Sequence, residues 1–144
     1  MPKKTVPNFA EIAPQPQPKP WEVAPAGWSG TDTEWAIYWA CGKLKLVEGR
    51  DFIFQSPFLG GRSAQGGAII DFYFPDRSIG IRVQGNYFHY QYNPGYTTSF
   101  DRLQRVALEG QGIRVVDIDG DYALQNPVRA LSDALKGISH TRSQ

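Results

Sequence analysis

The chain has a single cysteine, Cys41, among 144 residues, which excludes an intramolecular disulfide and a cysteine-based zinc cluster. Cys41 follows Trp39 and Ala40 in a stretch that reads as helix, so a buried structural thiol is the plain expectation. Long apolar runs are missing too. None approaches the roughly 20 residues that span a bilayer. After Lys3-Lys4, where a signal peptide would place its apolar stretch, Pro7, Glu11 and Pro14 interrupt the sequence. A soluble, intracellular protein with no membrane partner is expected. Basic excess is also absent: 15 Lys and Arg against 14 Asp and Glu leave a net charge of +1, with no basic run longer than Lys3-Lys4. That balance gives no support to a free nucleic-acid binder, which usually carries a strong positive excess. Asp117, Asp119 and Asp121 alternate as in a calcium loop, but Val128 stands where the closing glutamate belongs, so a solvated turn is expected.

What is present suits one packed domain with a tail: 41% of residues are hydrophobic and 20% charged, enough for a core and too apolar for disorder throughout. Residues 1–30 stand apart as an arm. Seven of the eleven prolines lie there, with Pro14, Pro16, Pro18 and Pro20 alternating with Gln and Lys. Proline fixes φ and removes a donor, so the arm is predicted to be extended and polyproline-like. Trp21 and Trp28 are unusual in such a segment and leave two readings open. Either they fold back onto their own domain, or they anchor a protein partner or a second copy of the chain.

Residues 31–137 read as the domain and 138–144 as a tail. Thr31-Asp32-Thr33-Glu34 spells a capping box. It predicts a helix to Val47, striped by Trp35, Tyr38, Trp39 and Leu46 and ended by Glu48-Gly49-Arg50. Strands are predicted over 51–55, 68–74 and 78–84. A glycine-rich loop at 59–67 and a turn at Pro75-Asp76-Arg77 separate them. Residues 86–96 form an aromatic loop with Tyr87, Phe88, Tyr90, Tyr92 and Tyr96 around His89. A helix over 99–109 is expected to turn Phe100, Leu103, Val106 and Ala107 inward. A short strand over 112–118, a turn after Asp119-Gly120-Asp121, and a helix from Asn126-Pro127 to Lys136 follow, with Gly137 as the stop. The predicted fold class is α/β of the α+β kind, in the order arm-α-β-β-β-α-β-α, with a mixed sheet covered on both faces.

The order of several local features resembles the PD-(D/E)XK restriction-endonuclease-like superfamily, nearest the very-short-patch-repair endonuclease-like branch, over about residues 31–136. Those features are an acid on the first helix (Glu34), a strand from Phe52 to Gln55, and Ile69-Ile70-Asp71-Phe72. Gly85 and His89, Asp101-Arg102, the strand from Gly112 to Val115, and Asn126-Pro127 complete them. The resemblance implies a restriction-endonuclease-like core and a metal-dependent nuclease site. The family's following strand usually reads Glu-Val-Asp-Gly or Glu-x-Lys, where this chain has Arg82-Val83-Gln84-Gly85.

Such a site needs magnesium on hard oxygen ligands to polarise the phosphate and supply hydroxide. Side chains two apart on a strand share a face, which is why the family spaces its two groups by one residue. Arg82 cannot ligate a metal, and Gln84 is neither a base nor a cation. Arg82 is therefore expected to pair with Asp71, and with Glu34 if the first helix brings it near, replacing the metal site by a salt bridge. The leading expectation is a catalytically silent endonuclease-like domain, a pseudo-nuclease, used as a structural or assembly module. Small degraded nuclease domains with arms suit a phage or mobile-element protein, and so a virion- or phage-associated complex. The second expectation is a non-catalytic DNA or RNA binder, in which Tyr87 and Tyr90 stack on bases while Arg62, Arg77 and Arg102 meet phosphates. The third is an active, magnesium-dependent endonuclease using Asp71, Glu34 and His89, the last as general base.

Overall fold

A computed structural model describes residues 17–58, 68–84, 103 and 105–139 of the chain. Helix α1 (Asp32–Lys43) begins with the anticipated capping box. The Glu34 N–H donates to Thr31 Oγ1 at 3.1 Å, and the Thr31 N–H donates to Glu34 Oε1 at 2.8 Å. Its core face is not the expected aromatic stripe. Ala36, Ile37, Ala40 and Cys41 are buried, while Tyr38, Trp39 and Leu46 pack at the rim of the core. The buried face is the one with small side chains, which lets a neighbouring helix axis come close. Burial also pushes the Cys41 thiol far above its ordinary range, the mark of an inert structural cysteine.

The helix stops at Lys43, short of the expected Val47, because the chain turns left-handed at Lys45 (φ 63°). Leu46 N–H donates to the Cys41 carbonyl at 2.8 Å and Lys45 N–H to the Gly42 carbonyl at 3.0 Å, the two bonds of a Schellman ending. Helix α4 (Pro127–Leu135) ends the same way with a glycine at that position, Gly137 (φ 86°). A side chain at positive φ costs energy that glycine avoids. Lys45→Gly should therefore raise stability by about 1 kcal/mol, read from the urea midpoint at unchanged slope.

Strands β1 (Ile53–Phe58), β2 (Ala68–Phe74), β3 (Ile79–Gln84) and β4 (Arg114–Asp119) pair in chain order. The first three are antiparallel and β4 runs parallel to β3, so the mixed sheet is as expected. β1 continues past Gln55 to include Pro57; it is an edge strand, where proline's missing N–H is tolerated. A helical segment at 105–110 (α2) returns the chain to β4. Its expected inward face is corrected. Leu103 and Val106 are 68% and 61% exposed, and Leu108 is buried. The tight return at Gly112 (φ 85°), with the Ile113 N–H on the Leu108 carbonyl at 3.1 Å, sets which side of α2 meets the sheet. The expected turn after Asp119 is also corrected to a short helix, α3 (Gly120–Gln125). Asp119 caps it by accepting from the Tyr122 N–H.

One face of the sheet buries Phe72, Phe74, Ile79, Ile81, Val83, Val116 and Ile118 with α1, α3 and α4. The other buries Ile70, Ile113 and Val115 with Leu108 of α2. Residues 17–30 are not the extended run predicted. They form two tight turns, closed by Glu22 N–H to the Lys19 carbonyl (2.9 Å) and Trp28 N–H to the Pro25 carbonyl (3.1 Å). Pro20 occupies the second place of the first turn. Gly27 (φ 86°) holds the third place of the second, which requires positive φ. Among the described residues, no helix is long and apolar enough to cross a membrane.

Candidate functional site

The site is built where β2 and β3 part. Their pairing runs from Phe74–Ile79 to Phe72–Ile81 and goes no further. Beyond it, the Val83 N–H donates to Asp71 Oδ2 at 2.8 Å. Strand regularity fails at the same level. Gln55, across from Asp71 on β1, has a left-handed φ of 56°. Ile70 and Phe72, two residues apart, enter opposite core clusters. A regular strand would put both on one face. The kink brings Asp71 to the end of α1, where its carboxyl hydrogen-bonds with that of Glu34.

Two carboxyls in hydrogen-bond contact need a proton between them. Burial, then the hydrogen bond and charge of Glu34, hold Asp71 well above the usual carboxylate range, against the smaller opposing pulls of the Val83 N–H and Arg82. The sequence reading expected Asp71 to be neutralised by a salt bridge to Arg82. Glu34 acts on it more strongly, and the Arg82 charge pulls the other way. Glu34 itself is nearly buried, at 9% exposure. Its Oε1 accepts from the Thr31 N–H (2.8 Å) and Thr31 hydroxyl (3.3 Å).

Arg82 and Gln84 share a face of β3, as alternation requires, but it is the face opposite Ile81 and Val83. There Gln84 Nε2 donates to Asp117 Oδ1 at 2.9 Å. Asp117 is the register partner of Arg82 on β4 and is nearly buried at 7%. Its other oxygen is bonded and ion-paired to Arg105 of α2, whose second nitrogen donates to the Val115 carbonyl at 2.9 Å. The Asp117 N–H donates to Ser139 Oγ at 3.2 Å. Arg105 and Ser139 thus cap the outer edge of β4, which would otherwise offer free pairing groups. The solvated turn expected at Asp117 is corrected to a strand acid held in a polar network. Sequence reasoning missed Arg105 and Ser139 altogether. The available signal was a lone acid inside the apolar run from Ile113 to Ile118, which demands a partner.

Trp21 and Trp28 both lie against their own domain. The Trp21 indole donates to the Leu124 carbonyl at 2.7 Å, and its ring sits 4.7 Å from that of Trp39. Trp28 stacks on Phe54 at 4.9 Å, meets Trp35 and Tyr38 edge-on, and donates to the Thr31 carbonyl at 2.9 Å. Trp35 in turn donates to the Pro20 carbonyl at 3.0 Å. The aromatic stripe read from α1 is therefore a platform for the strap formed by residues 17–30. Gly30 permits the passage: a Cβ there would stand 2.4 Å from Glu34 Oε1. Tyr38, on the platform, donates to Glu48 Oε1 at 2.6 Å, and that bond with partial burial pushes its phenol up to about 12. Arg77 is exposed in the 3-10 turn at the far end of the β2–β3 hairpin. Arg62, Tyr87, His89, Tyr90 and Arg102 lie outside the described residues.

The magnesium ion that the resemblance implies does not fit this donor set. Asp71 Oδ2 and Glu34 Oε1 are each committed to N–H or O–H donors, burial holds Asp71 above the usual carboxylate range, and the Arg82 charge acts on Asp71. Among the described residues, no three His, Cys, Asp or Glu side chains come together. A magnesium seat needs ionised carboxylates with free oxygens. Compared with protein-family models, curated proteins and solved structures, the chain matches none.

Proposed function

We propose that the chain is a catalytically silent domain of restriction-endonuclease-like layout that serves as a structural or assembly module. The observation that carries this reading is the hydrogen-bonded Glu34–Asp71 pair at the parting of β2 and β3. In an endonuclease of this layout the two acids would stand ionised around a cation. Here they are closed on one another and on backbone donors. The element order supports the lineage: an acid-bearing helix, an antiparallel three-strand unit with its acid on the second strand, then a parallel fourth strand. The additional helix α3 is a departure from the order read in the sequence. Trp21 and Trp28 are taken up by their own domain, so a protein partner or second copy would be met by other parts of the N-terminal arm. A phage- or mobile-element-type complex is the setting we favour.

The test is direct. Purified protein should cleave no DNA with magnesium or manganese, show no millimolar or tighter manganese binding by calorimetry, and enter a defined complex by light scattering. Metal-dependent cleavage that Asp71→Ala abolishes would overturn the reading.

A further inference from the structure

The strap and α1 together build a row of two lysines and two tryptophans. The Lys19 ammonium stands over the Trp21 ring at 5.5 Å, and Trp21 lies 4.7 Å from Trp39. The Lys43 ammonium stands over Trp39 at 5.1 Å. The order is ammonium, indole, indole, ammonium, with one half from each element. Local structure fixes the members. Trp21 is pinned by its indole bond to the Leu124 carbonyl. Trp39 and Lys43 stand one helical turn apart on α1, the spacing at which side chains meet. The Lys19 N–H donates to Glu22 Oε1 at 2.7 Å within the first turn of the strap.

The positive charge of this row is unanswered. Among the described residues, neither Lys19 nor Lys43 has a carboxylate within ion-pair distance. Both are exposed, as is Lys45 beyond them. The acids of the region are held elsewhere. Glu22 takes the Lys19 backbone, Glu48 the Tyr38 hydroxyl, and Asp51 both Arg50 and the Val47 N–H. An ammonium over a partly exposed indole is weakly held, so a carboxylate draws it off easily. Between the lysines the two rings are half-buried. Leu44, next to Lys43, and Val23, two residues after Trp21, are exposed apolar side chains.

We propose that this row is a docking site for an acidic peptide of a protein partner. Two carboxylates of the peptide take Lys19 and Lys43, and the apolar side chains between them rest on Trp21 and Trp39. The proposal deepens the assembly reading and rests on it: Lys19 is a part of the arm that the domain leaves uncommitted. The row is short enough for one extended segment of about five residues, at roughly 3.3 Å each. Rings already held in place lose little freedom on contact, and tryptophans are frequent anchors of interfaces. The flanking charges select the partner. A basic or uncharged segment of the same shape brings no carboxylate, and the ammoniums stay on the indoles.

The probe is an end-blocked synthetic peptide, Glu-Leu-Ser-Leu-Glu, titrated into the full-length protein at about pH 7, where carboxylates and lysines are both charged. Indole N–H resonances follow Trp21 and Trp39 separately from Trp28 and Trp35, the other two tryptophans of the chain. The peptide should bind at low salt at least about tenfold more tightly than Gln-Leu-Ser-Leu-Gln, and the preference should shrink as salt rises. Lys19→Glu and Lys43→Glu, both at exposed positions, should each abolish it. Arg77→Glu, at the far end of the β2–β3 hairpin, makes the same change in net charge and should leave it intact. Equal affinity for the two peptides, no binding at low salt, or a preference that survives Lys43→Glu overturns the proposal. Tighter binding of a single-stranded thymidine oligonucleotide or of phosphatidylserine vesicles than of the peptide also overturns it. A complex seen by light scattering with no peptide bound removes the row alone, whereas metal-dependent cleavage removes the assembly reading whatever the peptide does.

Discussion

Asp71→Asn should raise the stability of the protein at about pH 8 by about 1–3 kcal/mol and leave it nearly unchanged at about pH 4. The sign follows from linkage. Asp71 holds its proton more tightly in the folded chain than in the unfolded one, mainly through burial and Glu34. Its contribution is fully present below the unfolded value of about 3.9 and is lost as pH rises through the higher folded value. Above that range, the native chain must either ionise Asp71 beside Glu34 or keep a proton against the solution. Asparagine removes that cost and keeps both bonds. Its oxygen accepts from the Val83 N–H, and its amide donates to the Glu34 carboxylate. The lost attraction to Arg82 works the other way, but Arg82 is the weakest of the influences on Asp71. Urea titrations of both proteins across this pH range give the result. A variant less stable than the wild type at the alkaline end would mean that Arg82, not Glu34, governs the site.

Arg105→Met is expected to destabilise the fold by about 2–3 kcal/mol. The guanidinium is the charge partner of Asp117, which is nearly buried, and it also holds the Val115 carbonyl at the sheet edge. Removing one member of a buried pair usually costs about 3–5 kcal/mol, because the other is left charged and unmatched. Arg105 keeps 32% of its side chain in solvent, which softens the loss. Methionine retains the aliphatic bulk, so the change isolates the charge. Adding Asp117→Asn should restore part of the stability, since a neutral amide can still bond Gln84. Thermal melts of the single and double variants form the cycle. Additive losses would show that Arg105 matters through the Val115 carbonyl and packing rather than through Asp117.

These two sites differ in how far they could be read in advance. Asp71 stands out in the sequence because an acid within Ile69-Ile70-Asp71-Phe72 breaks an apolar strand. Arg82 and Gln84, two apart on the next strand, were equally visible. Yet the sequence pairs residues by nearness along a hairpin, and that logic led from Asp71 to Arg82. The actual partner comes from a helix thirty-seven positions earlier, because the kink at Gln55 and Asp71 turns the carboxyl toward α1. The Asp117 network was hidden for a related reason. Gln84 and Asp117 become neighbours only through the parallel register of β3 and β4.

What the sequence determined by itself is local: the Thr31–Glu34 box, the Asn126-Pro127 start, the Gly137 stop and the β2–β3 hairpin. Each depends on φ preferences and hydrogen bonds spanning a few residues, so the residue types suffice. Tertiary structure alone decided which face of α1 is buried, where Trp21 and Trp28 rest, and which acid acts on Asp71. Those outcomes depend on where distant backbones meet. Burial then changes the charge state of the groups that meet there, and no local pattern records that.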